Sequence, residues 1–155
     1  MALPGMTATR FAAWLAGLWA GLLWGIGLIG APAGFAAALP ETAGRVAGRM
    51  FMQEAYLSLL FAVVMFLMLR RQARAAAASG SGSVMSANLL LVFGALFCTV
   101  AGYFGLQPML AAARAGHGTL SFGTLHGVSA GLYGLKAILV SALAWRLTVS
   151  RPPPS

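Results

Sequence analysis

Four long stretches without charge, parted by short arginine clusters, decide what this chain can fold into. Uncharged residues run from Phe11 up to Glu41, from Ala55 to Leu69 and from Ala75 to Ala113, and a fourth run is broken only by Lys136. A helix needs about 20 apolar residues to cross a hydrocarbon core. In lipid the backbone must satisfy its own hydrogen bonds, which leaves helices or closed barrels as the options. The pattern predicts an all-α membrane protein, a bundle of four transmembrane helices with short outer loops and one flexible Gly/Ser linker. Spans are expected at about 11–31, 50–69, 88–107 and 125–146, after an N-terminal segment 1–10.

Composition supports this class. Only 8% of the 155 residues are charged and 60% are hydrophobic, against about 25% charged in an ordinary soluble domain. The net charge of +8 reflects arginines at span edges, where they set orientation and meet anionic headgroups. No basic patch with interleaved aromatics stands on a water-facing element, so nucleic acid is not an expected partner; the lipid bilayer is. The single cysteine, Cys98, excludes an intrachain disulfide and reads as a small buried hydrophobe.

Taken in order, the first span carries Gly17, Gly21 and Gly25 at four-residue spacing, a register that suits close helix packing. A secretory signal peptide competes here, because Ala31-Pro32-Ala33 resembles a cleavage site, but the apolar run exceeds an ordinary signal core. Pro32 is expected to kink or end this helix, and Pro40-Glu41-Thr42 to start the next, with Arg45 four residues on as a partner for Glu41. Residues 72–87 read as the linker and 150–155 as a proline-rich tail. In the third span Gly94, Cys98 and Gly102 repeat the small-residue spacing, and Gln107-Pro108 marks its end or a kink.

The fourth run, FGTLHGVSAGLYGLKAILVSALAWR, is the most unusual. His126, Ser129, Tyr133 and Lys136 follow at steps of three, four and three and share one helical face. Gly127, Gly131 and Gly134 occupy another face. A polar stripe and a glycine stripe on one spanning helix predict burial among partner helices. Arginine counting orients the bundle. Arg10, Arg70, Arg71, Arg74, Arg146 and Arg151 fall on the side of the termini, against Arg45, Arg49 and Arg114 on the other, which puts both termini in the cytoplasm.

Two motifs resemble a known family. F-x-x-L-H-G-x-S at Phe122, Leu125, His126, Gly127 and Ser129, and P-x-x-F-x-x-x-L-P at Pro32, Phe35, Leu39 and Pro40, are similar to motifs of the transmembrane protein 205-like family. The resemblance runs from about Trp14 to Trp145. It implies a four-helix integral membrane protein of uncharacterised molecular activity, with a eukaryotic relative associated with tolerance of platinum drugs. The chain departs from that relative in a shorter connection between spans three and four, and in Met52 where a proline is expected.

Two sites are expected. Glu54 and His126, each about a turn inside its span, form with Arg45, Arg49 and Gln107 an outer-leaflet polar layer. It can bind a small anion or metal or pass a proton, or it is interhelical glue in which His126 hydrogen-bonds Glu54 or a free carbonyl at a kink. Lys136 lies about 15 Å deeper than His126, and is expected to be too far from Glu54 for an ion pair. It reads either as a structural or snorkelling lysine or as part of a transport path. The methionines Met50, Met52, Met65 and Met68 show no ligand spacing with His117 or His126, so no metal is expected. No cofactor is expected either, and no phosphate loop or nucleophile elbow is present. The leading expectation is small-solute, ion or toxic-compound handling in a bacterial inner membrane. The alternative is a non-catalytic structural or accessory subunit, and an enzyme with a membrane-held cofactor comes third. Four short helices enclose little volume, so a homo-oligomer or a partner in a membrane complex is also expected.

Overall fold

The computed structural model describes residues 4–149, with side chains from Ala8 onward; the tail 150–155, which includes Arg151, lies outside the described residues. All the regular structure described is helical: α1 (Pro4–Trp24), α2 (Ala31–Ala37), α3 (Pro40–Ala78), α4 (Ala87–Thr99), α5 (Leu106–Arg114) and α6 (Phe122–Val149). One-turn π-helical segments, Gly25–Gly30 and Val100–Gly105, join α1 to α2 and α4 to α5. The chain therefore makes four candidate spans, Ala8–Ala37, Pro40–Ala78, Ala87–Arg114 and Phe122–Val149. It is an integral membrane protein of the multi-pass kind.

Each π-turn has an identifiable cause. Pro32 and Pro108 stand two and three residues beyond them, and a proline ring collides with the carbonyl four residues earlier in a regular α-helix. Widening the preceding turn relieves that collision without ending the helix. Thr99 adds to the second distortion, because its hydroxyl donates to the Ala95 carbonyl at 2.9 Å just before the π-turn begins. The first and third spans thus continue past Pro32 and Pro108.

The second span is longer than the hydropathy pattern predicts. Leu39 is extended, Pro40 opens α3, and the helix continues through the arginines to Ala78, 39 residues in all. At 1.5 Å per residue that is about 58 Å, well beyond a core of about 30 Å. The expected linker therefore shortens, since its first seven residues, 72–78, are helical. Gly80 ends α3 with a φ of +70°, while Ser81 N–H donates to the Ala76 carbonyl and Gly80 N–H to that of Ala77. Gly116, at φ +76°, ends α5 through the matching bonds from His117 to Ala112 and from Gly116 to Ala113. Both are Schellman caps, and only glycine adopts that conformation without cost. Gly116→Val is expected to lower stability by about 1–2 kcal/mol, measured as thermal unfolding in detergent; an unchanged midpoint would contradict the cap.

The four spans form a square in which α1 and α4 each pack between α3 and α6, while α3 and α6 face each other across a diagonal. The apolar core fills the half of the bundle nearer the termini, with Ala16, Leu23, Met65, Val92, Val140 and Leu143 buried within it. Trp19 is fully buried there and stacks on Phe61 at 5.7 Å. Beyond the π-turns the square divides: α2 packs on α3 and α5 on α6, with no close backbone approach between the two pairs.

Glycine faces contribute differently from expectation. A Cβ at Gly94 would sit 3.0 Å from Leu139, and one at Gly102 would sit 3.1 Å from Leu132, so both admit α6 closely. Gly17, Gly21, Gly25, Gly127 and Gly131 have nothing within that reach. On α1 the small residues that touch neighbours are Ala12, Ala16 and Ala20, on the face that also carries Trp19 and Leu23. Gly17 and Gly21 lie on the outward side of α1.

Candidate functional site

The chain's one lysine meets one of its two acids. Lys136 Nζ donates to Glu54 Oε1 at 2.7 Å and to Oε2 at 2.9 Å, and the two side chains are 3% and 2% exposed. This overturns the expectation that the pair is too far apart in depth. Helix two begins at Pro40 and not near residue 50. Glu54 lies fourteen residues after Pro40, and Lys136 fourteen after Phe122, on spans that run in the same direction. Their side-chain ends therefore meet. Because α3 and α6 are diagonal neighbours, a side chain as long as lysine is needed to close the distance.

Other groups hold the carboxylate in place. Ser58, one turn along α3, donates its hydroxyl to Glu54 Oε1, and Trp19 Nε1 donates to Ser58 Oγ at 2.8 Å. The line Trp19–Ser58–Glu54–Lys136 therefore connects three spans through buried side chains. Lys136 Nζ also lies 5.0 Å from the centroid of the Tyr133 ring, within cation–π reach. Tyr133 is edge-on to Phe51 at 5.1 Å.

The polar stripe of α6 works as a three-way clamp. Lys136 crosses to α3, and Tyr133 donates its hydroxyl to the Leu23 carbonyl of the first span at 2.7 Å. Ser129 donates to the Gly102 carbonyl of the third span at 3.2 Å. These two carbonyls border or lie inside the π-turns, where the regular ladder of backbone bonds is interrupted. The stripe and the two distortions therefore fit one another.

His126 is the stripe member that does not join. It is exposed and stacks on Phe122 with a centroid distance of 5.7 Å, and Arg114 lies 4.8 Å over the same Phe122 ring. His126 makes no bond to Glu54, which corrects that expected pairing. The rest of the outer layer is dispersed as well. Arg45 bonds Glu41 at 2.9 Å and Thr42 at 3.2 Å on its own helix, Arg49 is exposed, and Gln107 is half-buried on α5, which does not pack on α3. Among the motif positions, Leu125 is buried, whereas Pro32, Phe35, Leu39, Pro40, Phe122 and Gly127 are exposed.

Trp19 and Ser58 are the members of this line that the expected sites did not include; Trp19 is the less obvious of the two. Its signal was present in the spacing Ala12, Ala16, Trp19, Leu23, which puts the tryptophan on the inward face of α1. Among the described residues no three His, Cys, Asp or Glu side chains stand together as a metal site would require. What the centre does provide is a salt bridge removed from water, whose two members can exchange a proton or each turn to another charge.

Comparison with known proteins places residues 14–118 in a match to the family described as a domain of unknown function, DUF4149. The match takes in the Pro32–Pro40 motif and ends before the Phe122–Ser129 motif. No curated protein matches the chain, and no solved structure does.

Proposed function

The chain belongs to the DUF4149 family, and we propose that it handles a small ion, the proton foremost, with Glu54 and Lys136 as the working pair. The observation that carries this reading is the buried salt bridge itself. An ion pair in a low-dielectric interior is no more stabilising than apolar side chains of the same size, and is often less so. Ionisable groups inside a span are costly and are retained where they are used. Transfer of a proton from Lys136 Nζ to the Glu54 carboxylate leaves a neutral amine and a neutral acid. Such a neutral pair separates at far lower electrostatic cost than an ammonium and a carboxylate. The division of the bundle into two helix pairs on the side away from the termini supports access from that side.

The experiment is direct. Vesicles containing the purified chain and a pH-sensitive dye are expected to dissipate an imposed proton gradient faster than empty vesicles, and Glu54→Gln is expected to remove the difference. A wild-type rate equal to that of empty vesicles would end this reading. Orientation with both termini in the cytoplasm of a bacterial inner membrane follows the arginine count and belongs to the same proposal. So does a tolerance role, which rests on the resemblance to transmembrane protein 205-like proteins.

A second reading is favoured by one observation. Both Glu54 oxygens and the Lys136 ammonium are already engaged by protein groups, as an accessory subunit stapled for assembly with a partner would require. Gentle detergent extraction and sizing distinguishes the two. A chain that leaves the membrane with a second protein supports the accessory role, and one that leaves alone or with its own copies supports ion handling.

A further inference from the structure

Two grooves at the arginine-rich end of the bundle share one construction. The first, about 430 Å³, runs between α4 and α6, with Leu90, Leu91 and Leu139 as walls, Ala87 and Ala142 as floor, and Arg146 at its mouth. The second, about 400 Å³, runs between the start of the first span and α3, with Val64, Leu67 and Met68 as walls and Ala8 and Arg71 at its mouth. Leu139 precedes Arg146 by seven residues and Val64 precedes Arg71 by seven, so each groove offers about 10 Å of apolar wall leading up to a guanidinium.

Their surroundings fix the level of the mouths. Trp145, beside Arg146, is 72% exposed, and an outward tryptophan next to an arginine marks the headgroup region. Arg146 is anchored at that level by Asn88, whose Oδ1 accepts from its Nε at 2.9 Å. At the second mouth Gln72 has a buried Nε2 without a partner among the described residues. Arg70 and Arg74 add further positive charge at the same end of α3.

We propose that these grooves are binding sites for an anionic phospholipid, its acyl chains on the leucine and valine walls and its phosphate at Arg146 or Arg71. The apolar walls select a lipid tail, and the arginine selects a phosphate without a compensating cation. A zwitterionic lipid satisfies the first requirement and not the second. An arginine near the membrane surface favours an anionic lipid by about fivefold.

Native mass spectrometry of the full chain, with phosphatidylglycerol or phosphatidylcholine of identical acyl chains added in detergent, tests the assignment. Phosphatidylglycerol adducts are expected at about fivefold lower lipid concentration. Arg146→Gln and Arg71→Gln are each expected to reduce that preference, whereas Arg45→Gln, at the opposite end, leaves it intact. Equal retention of the two lipids overturns the proposal, as does a preference that survives both groove variants. Competition by inorganic phosphate at the concentrations effective for the lipid indicates a free-phosphate site and also overturns it. A doubled protein mass in place of lipid adducts assigns the grooves to a second copy of the chain. Should a variant fail to express, the wild-type comparison of the two lipids decides by itself.

Discussion

Lys136→Met, made alone, is expected to lower stability by about 3–5 kcal/mol, because it leaves Glu54 buried without its counter-charge. The double variant Glu54→Gln/Lys136→Met is expected to recover most of that loss. Glutamine keeps an acceptor for the Ser58 hydroxyl, and methionine fills the lysine's volume without a charge. Thermal unfolding in detergent reads both effects. The order wild type, then the double variant close behind, with the single variant well below, is the signature of a charge pair. Equal loss in the single and double variants would instead point to packing of the lysine stem.

Trp19→Ala is expected to be comparably severe, at about 3–5 kcal/mol. Trp19 is fully buried, stacks on Phe61 and supplies the N–H that orients Ser58 toward Glu54. Trp19→Phe retains most of the stacking and loses the hydrogen bond, so it should fall between wild type and Trp19→Ala. Unfolding midpoints in the same detergent give the ranking. A Trp19→Ala midpoint indistinguishable from wild type would remove Trp19 from the network.

The four helices were legible in the sequence because charge segregation and hydropathy report directly on the solvent around a span. The helix ends were less so. Apolar periodicity stops at about Met50, while α3 begins at Pro40, and nothing in hydropathy marks a helix that extends past the hydrocarbon. That shift of ten residues is what hid the partner of Lys136. Chain inventory offered a route around it: the single lysine and the single in-span acid had only each other for neutralisation within the membrane.

The polar stripe of α6 was legible as a face and not as a set of bonds. Spacing places Ser129, Tyr133 and Lys136 together, but which helix each reaches depends on the square packing and on the π-turns. Pro32 and Pro108 announced bends without saying that wider turns would absorb them. His126 shows the limit of spacing from the other direction. It shares the stripe's angular position, yet at the outer end the two helix pairs make no close backbone approach, and it stacks on Phe122.

If the paired charges serve ion movement, the fold should stand without them while the flux does not. Proton flux through vesicles containing Glu54→Gln/Lys136→Met, beside wild type at equal protein content, tests it most directly. A folded variant with no flux above empty vesicles is expected. Flux at the wild-type rate from the uncharged variant would contradict it.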